Sequence, residues 1–121
     1  MINFKVDNLK RMRRELADFA EYLKGNSVCE DDVFLSRLVS CELITNVIRH
    51  SGEAAEFSAE LLPDKISITV AAKSFENLSF ASNPPDVFAE SGRGLYIVKS
   101  VIWGDIRRGE HGEVTVFIKR H

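Results

Sequence analysis

Val39-Ser40-Cys41-Glu42-Leu43-Ile44-Thr45-Asn46-Val47-Ile48-Arg49-His50 is the stretch whose reading decides the fold. It belongs to a helix expected to start at Asp31 or Asp32 and to run to about His50, with Ser51-Gly52 as its end signal. Val33, Phe34, Leu35, Leu38, Val39, Cys41, Leu43, Ile44, Val47 and Ile48 make it apolar nearly all the way round, the pattern of a largely buried helix. Glu42, Asn46 and His50 stand four apart. That spacing puts them on one face, drifting by about 40° per step. Two readings of this polar stripe stand side by side. In one it faces solvent along an edge of the helix. In the other it is a site, because a buried carboxylate is costly unless paired or used. Asparagine oxygen is a hard ligand suited to Mg²⁺, and a glutamate one turn away can orient or deprotonate a nucleophile. His50, taken singly, reads as a cation at a helix C-terminus, where the helix dipole favours it.

Outward from this helix the elements alternate in period. Ile2, Phe4 and Val6 alternate with polar residues as a short strand. Asp7 or Asn8 then caps an amphipathic helix with Leu9, Met12, Leu16, Phe19, Ala20 and Leu23 on one side, and Gly25-Asn26 stops it. Its basic cluster, Lys10-Arg11-Arg13-Arg14, reads as a solvated face. After the long helix, Glu53–Leu62 and Ile66–Val70 alternate about a Pro63-Asp64-Lys65 turn, forming a hairpin. The stretch from about 73 to 91 is rich in Ser, Asn, Ala and Pro and is long for a loop in a compact domain. A third helix is expected over Leu95–Trp103, followed by closing strands at Ile106 and at Val114, Val116 and Ile118. Trp103 and the phenylalanines read as core or partner contacts. Hairpin-connected strands with helices able to lie on one face predict an α+β two-layer sandwich on a mixed, mostly antiparallel sheet, built as one domain over residues 1–121.

Composition sets outer limits. Sixteen basic and eighteen acidic residues leave a net charge of −2, which argues against a nucleic-acid partner. The longest apolar run once Ser and Thr are allowed, Ile66–Ala72, is far short of the roughly 20 residues that span a bilayer, so no membrane partner is expected. The first residues carry no apolar run of signal-peptide length, so the expected location is cytoplasmic. Cys29 and Cys41 fit two reduced thiols better than a disulfide framework or a zinc site.

A second candidate feature is Gly92-Arg93-Gly94, directly before the apolar helical run Leu95, Val98, Val101 and Ile102. Free backbone N–H groups at a helix start bind anions, glycine lets a phosphate approach the backbone, and Arg93 adds a charge suited to it. The plain alternative is a glycine turn. A phosphate cradle and a Mg²⁺ ligand on the preceding helix belong together chemically.

Taken in order, Glu42-Leu43-x-x-Asn46-x-x-x-His50, the hairpin, the long loop, Gly92-Arg93-Gly94-Leu95 and a closing strand with Thr115 resemble the GHKL ATPases. These share the Bergerat, or histidine-kinase-like, ATP-binding fold. In size and motif style the chain looks closest to the anti-sigma-factor serine/threonine kinases. Val39–Asn46 resembles their N-box and Gly92–Val98 their second glycine box, and the resemblance covers nearly the whole chain. It implies that Glu42 is the catalytic base and that Asn46 binds Mg²⁺. It implies that Gly92, Gly94 and Leu95 hold the nucleotide, with Arg93 and His50 as further cofactor contacts. It also makes residues 73–91 the ATP lid and puts Thr115 at the adenine end of the pocket. The family's first glycine box, Asp-x-Gly-x-Gly, is absent: the chain reads Val70-Ala71-Ala72-Lys73-Ser74-Phe75-Glu76, with alanine where the adenine-reading aspartate belongs. A hydrogen bond to a charged group is worth about 1.5–3 kcal/mol, roughly ten- to a hundredfold in affinity, and Glu76 and Asn77 are the nearby candidates to replace it.

Two functions follow from the resemblance. One is a regulatory kinase that binds ATP and Mg²⁺ and phosphorylates an anti-anti-sigma (STAS-type) partner. The other is a degenerate domain that binds a sigma factor or another regulator with little or no nucleotide. Family members commonly pair through their sheets, so the resemblance also allows a homodimer. An unrelated small-molecule hydrolase has no nucleophile elbow or Cys/His pairing to support it.

Overall fold

The protein is described here by a computed structural model that covers residues 2–51, 54–72, 98–109 and 112–121, without the side chains of residues 50 and 51. Chain order is β1 (Ile2–Val6), α1 (Leu9–Gly25), α2 (Glu30–Ser51), β2 (Ala55–Leu61), β3 (Lys65–Ala71), β4 (Arg107–Arg108) and β5 (Glu113–Lys119). The five strands form one sheet in the order β1-β2-β3-β5-β4, and every pairing is antiparallel. The sheet is therefore not mixed among the described residues. Residues 98–101 are helical, so Trp103 falls beyond that helix rather than inside it. The expected lid, residues 73–91, lies outside the described residues.

Strand alternation sets which face is dry. Val6, Phe57, Ile68, Val70, Val114, Val116 and Ile118 are buried, while the residues between them are exposed or half-buried. The register brings the buried set onto one face: Phe57 stands opposite Phe4 and Val70, and Ile68 opposite Ala59 and Val116. Both helices pack there, as one continuous core with Met12, Leu16, Phe19 and Leu23 from α1 and Val39, Leu43, Ile44 and Val47 from α2. Phe57 is its centre, stacked on Phe4 with ring centroids 4.4 Å apart and edge-on to Phe19 at 5.2 Å. Helix α2 is buried along much of its surface, but Phe34, expected inside, is 64% exposed beside exposed Glu30, Asp31 and Arg37, and the helix admits hydroxyls only where they are small. Ser36 and Ser40 are fully buried, and the Ser40 hydroxyl donates to the Ser36 carbonyl at 2.7 Å. On the α1 side, the Thr45 hydroxyl donates to the Met12 sulfur at 3.6 Å.

The helix ends follow local chemistry. Asn8 caps α1, its side chain accepting from the Arg11 N–H at 2.8 Å. Gly25 is the last helical residue, not the stop signal itself. The stop is a Schellman turn in which Ser27 takes φ of 65°. Ser27 N–H donates to the Lys24 carbonyl and Val28 N–H to the Leu23 carbonyl, while Val28 and Leu23 pack into the core beside them. A position of this kind favours glycine, because a Cβ is strained at positive φ. Ser27→Gly is therefore expected to raise stability by about 0.5–1 kcal/mol. It would be read as a higher urea midpoint at unchanged slope.

Candidate functional site

Glu42 and Asn46 are presented by the middle of α2, one helical turn apart. Asn46 is 3% exposed, so the stripe does not run along an open edge at that point. Glu42 is half-buried. The Nδ2 of Asn46 has no hydrogen-bond partner among the described residues. An orphaned buried donor costs about 1–3 kcal/mol, and a native structure that keeps one calls for a reason such as a ligand or an ordered water. Ser36 Oγ is the other such atom among the described residues, and it too stands one turn from a carboxylate, that of Asp32.

The remaining expected site residues divide clearly. His50 sits in the last turn of α2, with its side chain outside the described residues. Gly92, Arg93, Gly94 and Leu95, with Glu76 and Asn77, also lie outside them. Thr115 is described, and the structure does not bring it toward Asn46. It alternates with Val114 and Val116, which face the helices, so it points to the opposite side of the sheet. There its hydroxyl lies 2.9 Å from that of Thr69, its register partner on β3. Thr115, expected at the adenine end of a pocket, therefore lies on the face of the sheet away from the helices. Parity was available in the sequence, because Val114, Val116 and Ile118 can all face inward only if Thr115 faces out. Ala72, just after β3, is 9% exposed and carries only a methyl group where the resemblance to GHKL ATPases leads one to expect an adenine-reading carboxylate. The unpartnered Asn46 Nδ2 is a donor and suits an acceptor such as a phosphate oxygen or a water, while the methyl groups of Ala71 and Ala72 offer nothing that reads adenine.

A second polar cluster was not anticipated. Asp32, in the first turn of α2, is 1% exposed and binds the far end of the chain. The His121 backbone N–H donates to Asp32 Oδ2 at 2.7 Å, and His121 Nδ1 lies 2.8 Å from Oδ1. The sequence marked Asp31 or Asp32 as the helix start, whereas α2 begins at Glu30 and Asp32 falls in its first turn. The pairing spans 89 positions, and no local pattern announces it. Burial pushes the Asp32 carboxyl up, but hydrogen bonds from the His121 backbone, the His121 ring and the Cys29 side chain outweigh it and hold the group below its ordinary value. Both cysteines are free thiols. No cluster of metal-ligating side chains occurs among the described residues, and no helix there is long and apolar enough to cross a membrane. Lys10, Arg11, Arg13 and Arg14 of α1 are all exposed, as a solvated face requires.

No protein-family model and no curated protein sequence matches this chain. Among solved structures it is similar to a chain in the crystal structure of the SiaB–SiaC complex from Pseudomonas aeruginosa. The identity is 12% and the TM-score 0.57, over 99% of this chain and 89% of that one. The likeness shows that the two chains share a fold.

The Asp32 cluster carries its own pH dependence. Because the folded-state pKa lies below the unfolded one, the stabilisation is complete above the unfolded value and is lost as pH falls through the folded value. Unfolding free energy is expected to decline as pH drops below about 4. Asp32→Asn is expected to cost about 1–3 kcal/mol at neutral pH and to flatten that acid limb, as measured by urea unfolding across the acid range. An acid limb equally steep in the variant would assign it to other carboxylates.

Proposed function

We propose that this chain is a regulatory switch protein of the anti-sigma-factor kinase type, which acts on a protein partner and uses a GHKL-like ATP and Mg²⁺ site centred on α2. The observation that carries the reading is Asn46: a buried amide with an unpartnered Nδ2, one turn from a half-buried carboxylate, on a helix otherwise packed with apolar groups. Asn46 would hold the cation through its carbonyl oxygen, and the backbone around Gly92 and Gly94 would take the phosphates, with Arg93 beside them. When bound, ATP supplies the phosphoryl group and Mg²⁺ neutralises its charge. Glu42 positions the serine hydroxyl of an anti-anti-sigma (STAS-type) partner and accepts its proton. The shared fold with a chain solved as a two-protein complex supports a protein partner.

The alanines at Ala71 and Ala72 favour a second reading. In it the domain is a binding module, holding a sigma factor or another regulator with nucleotide affinity lost. Calorimetry with ATP and Mg²⁺ separates the two. The kinase reading expects saturable heat that Asn46→Leu abolishes. The same substitution should leave stability unchanged or raise it by about 1 kcal/mol, because it removes an unsatisfied buried group from an apolar setting. Absence of heat at millimolar nucleotide would favour the binding module. If nucleotide binds, phosphoryl transfer to the partner is expected to fall by roughly a hundredfold or more in Glu42→Ala. Equal transfer by both proteins would remove Glu42 as the base.

A further inference from the structure

The face of the sheet turned away from the helices carries a compact group of cations and rings. Lys65 at the start of β3 and Lys119 at the end of β5 are register partners, so two like charges stand directly opposite each other. Such pairs destabilise a sheet unless something negative or polarisable lies with them. Trp103 partly fills that role. Its backbone N–H donates to the Phe117 carbonyl at 2.7 Å, and its ring lies 6.0 Å from Lys65 Nζ and 5.8 Å from Lys119 Nζ. Lys65 Nζ is also 4.3 Å from the Phe117 ring centre, and the Arg107 guanidinium carbon is 5.3 Å from it. Among the described residues none of the three cations is ion-paired to a carboxylate. The nearest acidic positions of this face are displaced from the group. Glu60 is on β2 opposite Ser67, and Glu56 and Glu113 flank Ala71 at the far end of β3. Trp103 remains 44% exposed, unusual for the largest apolar side chain in the protein.

From this geometry we infer that Lys65, Arg107, Lys119 and Trp103 form a docking surface for an acidic segment of a partner protein. Its carboxylates settle between the cations and an apolar side chain lies on the indole. Charge complementarity selects the occupant. Three cations held against aromatic rings on one sheet face suit a short run of carboxylates. A nucleic acid would bring an extended polyanion against a chain whose net charge is −2. The surface is on the opposite side of the sheet from Asn46, so it neither needs nor excludes nucleotide there.

Trp103 is the single tryptophan of the chain, so its emission reports the surface directly. The full chain is titrated with a synthetic peptide of glutamate with interspersed leucine, with the same peptide carrying glutamine for glutamate, and with single-stranded oligothymidylate. A saturable change with the glutamate peptide alone, weakening with added salt, is expected. Lys65→Gln/Lys119→Gln should bind that peptide roughly tenfold or more weakly. Lys10→Gln/Arg13→Gln, which removes the same charge from α1, should bind it unchanged. Circular dichroism confirms that each variant is folded, and Arg107→Gln serves if the double lysine variant is not. The proposal is overturned by an unresponsive Trp103, by equal affinity of the Lys65→Gln/Lys119→Gln variant, by loss of binding in the α1 variant, or by preferred binding of the oligonucleotide.

Discussion

Packing of α2 against both α1 and the dry face of the sheet is the constraint on which the rest of this protein depends. A helix with apolar residues on most of its surface must be covered on more than one side, and α2 leaves water only a narrow face at Glu30, Asp31, Phe34, Arg37 and Arg49. Leu43, Ile44 and Val47 meet that demand together with Phe57, Ile68 and Val116 of the sheet and the apolar side of α1. Each buried polar side chain of α2 then becomes a problem to be solved inside the core. Ser40 solves it with the carbonyl one turn back, and Asp32 with the last residue of the chain. Asn46 does not solve it among the described residues, which is what separates it from an ordinary core asparagine.

The Asp32–His121 contact shows how one buried carboxylate organises distant parts of the fold. Its position in the first turn of α2 already favours negative charge. Two donors from His121 then fasten the end of β5 to the start of that helix. Nearby, Arg120 ties the same end to the β2–β3 turn through the Leu62 and Asp64 carbonyls. The C-terminal side of β5 is thus held from both layers. Lys119 and its outward neighbours are consequently presented from a fixed strand, not a fraying one.

The two faces of the sheet have separate chemistry. The inner face is aliphatic and aromatic and carries the helices. The outer face carries the Thr69–Thr115 bond and the cations over Phe117 and Trp103. Strand parity keeps the residues of the two faces from mixing, so each face can change its chemistry without the other.

Much of the secondary structure was legible in the residues themselves. The alternation of Phe57, Ala59 and Leu61, of Ile66, Ile68 and Val70, and of Val114, Val116 and Ile118 marks strands with one dry face, and the spacing of Met12, Leu16, Phe19 and Leu23 marks α1. These signals are local, because side-chain period is set by backbone geometry. The pairing of Glu42 with Asn46 on one face of α2 follows from the same rule. What the tertiary structure decided is everything that joins distant segments: the place of β5 between β3 and β4, the burial of Asn46, the contact of Asp32 with His121, the exposure of Trp103 and the meeting of Lys65 with Lys119. Ser27 shows the boundary on a small scale, since Gly25-Asn26 announced a helix end but the left-handed residue came one position after the asparagine. Sequence periodicity names the face a residue takes on its own element, and only the docking of elements determines what stands across from that face.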